Sequence, residues 1–203
     1  MAAHPNFDFV IYAVHVAFWT SFGVVPLFQR TPGPDAAKPA SPVVALEAKT
    51  ARFSRALLIF HSVAFGVMYF GLANAVIPDR VPYWFPGQRV VGTVVMAGGA
   101  ALMCWARAHF HSWRFRAKLD EGHQLATEGP FRYLRHPIYM GLNLLALGTA
   151  IWVPTPFVWA GFVLMVLGSD LRARAEETLL DQAFGPTYRA YRARTRRFVP
   201  GIY

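Results

Sequence analysis

Four uncharged apolar stretches govern what this chain can fold into. Phe9 to Phe28 and Ala56 to Ile77 are each about as long as a bilayer core requires, roughly 20 residues of helix, so both read as transmembrane helices. Val90 to Ala106 is shorter and equally uncharged, and Gly92, Gly98 and Gly99 give it small faces where neighbouring helices can approach. Ile138 to Ser169 is too long: one straight helix of that length would measure roughly 48 Å at 1.5 Å per residue, beyond the hydrocarbon thickness. Pro154-Thr155-Pro156 sits in its middle, where two closely spaced prolines remove backbone donors, so the chain is expected to turn there. The second arm is then expected to run past Ser169 and carry Asp170, Arg172 and Arg174 to the membrane interface.

Composition agrees with a membrane protein, since the 203 residues are 55% hydrophobic and 15% charged. A net charge of +9 would suit a nucleic-acid binder, but its placement along the chain argues otherwise. With five spans and an extracytoplasmic N-terminus, eighteen of the 20 Lys and Arg residues fall on the cytoplasmic side, leaving Arg80 and Arg89 outside. Four spans without the turn would send the C-terminal arginines outward. The expected class is therefore all-α: a polytopic, multi-pass protein with five transmembrane helices, the last two a helical hairpin, followed by a cytosolic amphipathic C-terminal helix. Met1 to Asp8 lacks Lys and Arg, so the first run reads as a retained span rather than a signal peptide. Cys104, the single cysteine, reads as a small packed side chain. The proline-bearing loop from 30 to 55 carries no assigned chemistry, and His109 with His111 is too sparse a set to specify a metal.

The polar residues gather at the two ends of the folded-back run. Gly129-Pro130-Phe131-Arg132-Tyr133-Leu134-Arg135-His136-Pro137 precedes it, and Arg172-Ala173-Arg174-Ala175-Glu176-Glu177 closes it. Pro137 suits the first turn of a helix, placing that helix's positive end beside Arg132, Arg135 and His136, where an amino-acid carboxylate would be attracted. His136 and Tyr139 share a face. Glu176 and Glu177 point about 100° apart and cannot enter one pocket equally. Arg172 with Glu176 and Asp170 with Arg174 are spaced for helix ion pairs. His61 and Asn74 are expected to line the bundle interior. No glycine-rich strand-to-helix fingerprint occurs, which gives no support to a Rossmann-type cofactor site.

From His123 onward the chain resembles the isoprenylcysteine carboxyl methyltransferases and the related phospholipid methyltransferases of membranes. The likeness runs through Gly122-His123-Gln124-Leu125-Ala126-Thr127-Glu128-Gly129-Pro130-Phe131, then Arg135-His136-Pro137-Ile138-Tyr139-Met140-Gly141, then Glu176-Glu177, Phe184-Gly185, Tyr188, Tyr191 and Pro200. It implies one methyltransferase domain over 1–203, with a three-span part (1–106) and a part (107–203) holding the cofactor loop, the hairpin and the C-terminal helix. S-adenosylmethionine is the implied cofactor, with S-adenosylhomocysteine as product. The implied cofactor contacts are His123, Gln124, Leu125, Thr127, Gly129, Arg135, His136, Tyr139, Glu176 and Glu177, and the implied catalytic groups are Arg132, Arg172 and Glu176. The acceptor would be a lipid or other lipophilic small molecule reached through the bilayer, and a bacterial inner membrane is the expected location. Two other classes compete: a non-enzymatic multispan subunit or transporter binding anionic lipid or a partner, and a membrane reductase using a nicotinamide nucleotide.

Overall fold

The computed structural model describes residues 5–28, 43–77, 80–109, 125–199 and 201, all helix, turn or extended link. Six α-helices follow in order: α1 (Pro5–Phe28), α2 (Val43–Val76), α3 (Gln88–Ala108), α4 (Pro137–Trp152), α5 (Pro156–Phe184) and α6 (Pro186–Arg194), with a 3-10 turn over Gly129–Arg132. Three helices are long and apolar enough to cross a membrane: Ile59–Val76 within α2, all of α3, and α5. Phe9–Thr20 within α1, and α4, are apolar but shorter. The long apolar run breaks where the prolines require it, since α4 stops at Trp152 and α5 starts at Pro156 with the Thr155 hydroxyl accepting from Val158 N. α5 continues to Phe184, so its polar second half carries Asp170 to Glu177 beyond the apolar zone.

Glycine decides how closely the helices meet. A Cβ at Gly99 would lie 2.7 Å from Gly141 O, and one at Gly92 would lie 2.7 Å from Gly148 O. Two glycines seven residues apart on α3 thus face two glycines seven apart on α4 in reverse order, and the helices run antiparallel in near backbone contact. Gly98 faces open space, so of the three glycines predicted to form small faces only Gly92 and Gly99 do so. On the other side Gly161 of α5 abuts Met68 of α2, and Gly168 abuts Phe60 and His61.

The buried layer between these pairs is apolar, with Met68, Met96, Met103, Leu145, Met165 and Trp152 fully enclosed. α1 is fastened to it by polar bonds. Thr149 Oγ1 donates to Leu145 O, so His15 Nε2 donates to Thr149 Oγ1 at 3.0 Å, and Nδ1 is left to accept from the Tyr69 hydroxyl at 2.8 Å. Outward faces stay apolar, with Val16, Val63, Phe70, Val94 and Val163 more than half exposed. Two expectations fail on this surface. Cys104 is exposed, because a small apolar side chain can face lipid as readily as a core. Asn74 is exposed too, its amide donating to Phe70 O one turn back at 2.8 Å, so it needs no interior partner.

Candidate active site

At one end of the bundle the N-terminus of α4, the second half of α5, α6 and the segment after α6 converge. Their meeting is built on backbone pairing: Arg135 N donates to Arg196 O at 2.7 Å, His136 N to Arg197 O at 3.2 Å, and Arg196 N to Tyr133 O at 3.2 Å. Leu134 and Arg196 form a parallel bridge. α6 is held below by Tyr191, whose hydroxyl donates to Phe131 O at 2.8 Å. Burial pushes the Tyr188 and Tyr191 hydroxyls above the ordinary tyrosine range.

Glu177 is the hub of the inner layer. It is 4% exposed and accepts from Arg135 Nε at 2.9 Å and from Arg197 Nε and Nη2 at 3.0 and 2.8 Å. Arg197 Nη1 passes on to Asp170 Oδ1 at 3.0 Å, whose other oxygen accepts from Arg174 at 2.7 Å. Arg135 Nη1 also donates to the carbonyl of Thr195 at 2.5 Å and of Arg192 at 3.3 Å. A two-pronged guanidinium-carboxylate pair of this kind is strong and directional. Glu177 and Arg135 are thereby committed to holding the C-terminal segment against α4.

Glu176 faces a different layer and its side chain remains 25% exposed. It accepts from the Tyr139 hydroxyl at 2.5 Å and from Arg172 Nε at 3.3 Å, and its second oxygen lies 3.6 Å from His136 Nδ1. The Arg172 guanidinium stands over the Tyr139 ring, 5.4 Å from its centre. His136 is stacked on Tyr139 and is 6% exposed. Its Nε2 lies 3.4 Å from Glu177 Oε1 and has no hydrogen-bond partner among the described residues. Beneath Tyr139, the Ser169 hydroxyl donates to Asn143 Oδ1 at 2.9 Å, so the His61 Nε2 contact at 3.3 Å is a donation to Ser169. His61 therefore does turn inward, 6.2 Å from the Tyr139 ring centre.

Of the residues singled out from sequence, Arg135, His136, Tyr139, Arg172, Glu176 and Glu177 come together here. Arg132 is exposed on the 3-10 turn and makes no ion pair with a described residue. Gly129, at φ +57, carries the chain past the His109 ring, where a Cβ would be 2.5 Å away. Leu125 and Thr127 are half-buried in the approach to that turn. His123, Gln124, His111, Pro200 and residues 30–42 of the expected loop lie outside the described residues, while residues 43–55, expected as loop, form the first turns of α2. Sequence reasoning missed Arg197 and Asp170 as members of the cluster. No sequence pattern marked Arg197, because its burial and its partner both depend on the Leu134–Arg196 pairing.

Residues 88–187, which include every residue from α3 to the twin glutamates, match the family model for phospholipid methyltransferase. Over these residues the chain is similar to the methyltransferases of this family. Among curated relatives, a probable protein-S-isoprenylcysteine O-methyltransferase of Oryza sativa subsp. indica is 30% identical over 131 residues, covering 62% of this chain and 66% of the relative. The protein-S-isoprenylcysteine O-methyltransferase of Dictyostelium discoideum is 29% identical over 135 residues, 60% of this chain and 55% of its own. That of Schizosaccharomyces pombe is 34% identical over 88 residues, 42% and 37% of the two chains. The chain thus spans roughly one to two thirds of the length of these relatives. The family match ends before Thr195–Phe198, so the segment that closes over Glu177 lies outside it.

Proposed function

We propose that this chain is an integral membrane methyltransferase that uses S-adenosylmethionine to methylate a lipophilic acceptor, and that Glu176, Tyr139, Arg172 and His136 form its site. The observation that carries the reading is the pairing of the family match with a half-open carboxylate, Glu176, set between Tyr139 and Arg172 at the end of an apolar bundle. The proposed placement is five spans, with α4 and α5 as a hairpin, the N-terminus outside and the site at the cytoplasmic face. The distribution of Lys and Arg supports it.

The donor set suits a zwitterionic amino-acid group. Glu176 offers a carboxylate to an ammonium, while the first-turn amides of α4 offer donors to a carboxylate. The cofactor would supply an electrophilic methyl group on sulfur. Arg172 is placed to orient an anionic acceptor, and the Tyr139 hydroxyl fixes the direction of Glu176. The apolar helices around the site keep water out, which favours a reaction whose charge disperses. Alignment of the reacting groups is the main contribution available to such a site, on the order of 7 to 11 kcal/mol for well-oriented cases. An acceptor carboxylate needs no general base, whereas a hydroxyl, thiol or amine does, and His136 is the described residue placed to take that proton.

The relatives' names describe O-methylation of protein S-isoprenylcysteine, and support a lipophilic acceptor. Mass spectrometry of lipid extracts after incubation with the protein and isotope-labelled methyl donor tests the reading. A labelled apolar product formed by the wild type and absent with Glu176→Gln is expected. Label confined to water-soluble products would overturn the lipophilic acceptor.

A further inference from the structure

The C-terminal segment alternates in burial. Thr195 and Arg197 are buried, and Arg197 is spent on Glu177 and Asp170, but Arg196 between them is exposed. On α6, Tyr188 and Tyr191 face inward while Arg189, Arg192 and Arg194 are exposed. From Pro186 to Val199 the sequence holds arginines and no acidic residue. Arg189 reaches back to Asp181 at 3.3 Å, whereas Arg192, Arg194 and Arg196 make no ion pair with a described residue. Pairing of Leu134 with Arg196 sets this ridge beside Tyr133, which is 56% exposed just before the apolar helix α4 begins. Trp105, 46% exposed, stands one turn from the end of α3 at the same end of the bundle. Exposed Tyr and Trp at such a level mark a membrane-water interface.

We infer that Arg192, Arg194 and Arg196, with Tyr133, form a docking surface for the anionic headgroups of the adjoining lipid leaflet. The inference rests on the bilayer placement proposed above and is independent of the methyl-transfer chemistry. Three cations within five residues, with no ion pair to a described residue, repel one another, and a phosphate-bearing leaflet relieves that repulsion while accepting paired guanidinium hydrogen bonds. Each cation near an anionic leaflet strengthens its binding about five-fold. Arg196 adds a structural consequence, because its carbonyl accepts from Arg135 N at 2.7 Å. A headgroup that holds Arg196 also steadies the strand pair that carries Arg135 to Glu177.

The test is to reconstitute the full chain into nanodiscs of phosphatidylcholine alone or mixed with phosphatidylglycerol, reading the thermal transition and, by native mass spectrometry, the lipids retained. Phosphatidylglycerol is expected to be enriched several-fold and to raise the transition, with both effects shrinking as salt is added. An R192Q/R194Q/R196Q protein should lose both, and the corresponding triple lysine protein should keep the enrichment in part. If the triple glutamine protein does not fold, Arg194→Gln alone should reduce the enrichment measurably while leaving part of it. Equal retention of the two lipids by the wild type, or full enrichment in the glutamine variant, would overturn the inference. So would an equal stabilisation by inorganic phosphate in phosphatidylcholine discs, which would mark a site for soluble anions. A wild-type chain that fails to enter discs at all would sink the bilayer placement and this surface together.

Discussion

Tyr139 on α4 donates its hydroxyl hydrogen bond to Glu176 on α5 at 2.5 Å, across two helices whose apolar stretches are joined by only three residues. Four residues further along α4, Asn143 meets Ser169 of α5, seven residues before Glu176. These two rungs pair the same helix faces, so they fix both the rotation and the translation of α5 against α4.

Tyr139→Phe keeps the ring between His136 and Arg172 and removes one hydrogen bond to a carboxylate. Hydrogen bonds to charged groups contribute about 1.5 to 3 kcal/mol. Methyl transfer is expected to fall roughly ten- to a hundred-fold with the thermal transition little changed. An unaltered rate would place Glu176 outside the reacting centre.

Glu177→Ala leaves Arg135 and Arg197 facing each other without their shared counter-charge. Stripping one partner from a buried ion pair costs about 3 to 5 kcal/mol, so the variant should unfold at markedly lower temperature in detergent. A double-mutant cycle with Arg197→Ala is expected to show strong coupling, and simple additivity would contradict the hub described here.

Gly99→Ala should damage the protein where Gly98→Ala does not. A methyl at 99 meets the Gly141 carbonyl at 2.7 Å, whereas one at 98 meets nothing within 4 Å. Overpacking of this kind costs about 1 to 3 kcal/mol. Thermal unfolding of the two neighbouring variants reads the contrast directly.

Ser169→Ala removes the hydroxyl shared by His61 and Asn143. Hydrogen bonds between membrane helices contribute on average about 0.6 kcal/mol, with 1.7 near the maximum, so a modest loss of stability is expected. A larger loss of activity than of stability, restored by Ser169→Thr, would show that the lower rung positions Glu176.

Tyr188→Phe is expected to be neutral or stabilising near pH 7, since its buried hydroxyl has no hydrogen-bond partner among the described residues. The pH response has a definite sign. Burial raises the Tyr188 and Tyr191 hydroxyls above their ordinary value of 10.0. Their contribution to stability is therefore complete below pH 10 and is lost as pH climbs through the raised folded-state values. Alkaline unfolding of α6 followed by tyrosine absorbance should shift upward in the Tyr188→Phe protein.

Backbone-determined features were legible in the sequence. Pro154 and Pro156 announced the break, Pro137 the start of α4, and the polar residues on either side of the apolar run announced where a charged site would form. Side-chain partnerships were less so. Glu176 and Glu177 differ in role because Arg197 reaches one of them, and Arg197 is placed by a short strand pairing that leaves no periodic trace. Burial was misread at Cys104 and Asn74, since in an apolar bundle facing lipid neither small size nor a satisfied amide says which way a side chain points.

Calorimetric titration of S-adenosylhomocysteine into the purified wild type and into folded Glu176→Ala and His136→Ala proteins tests the central claim most directly. The account predicts saturable binding to the wild type and its loss in both variants. Unchanged affinity in the variants, or no binding to the wild type, would contradict it.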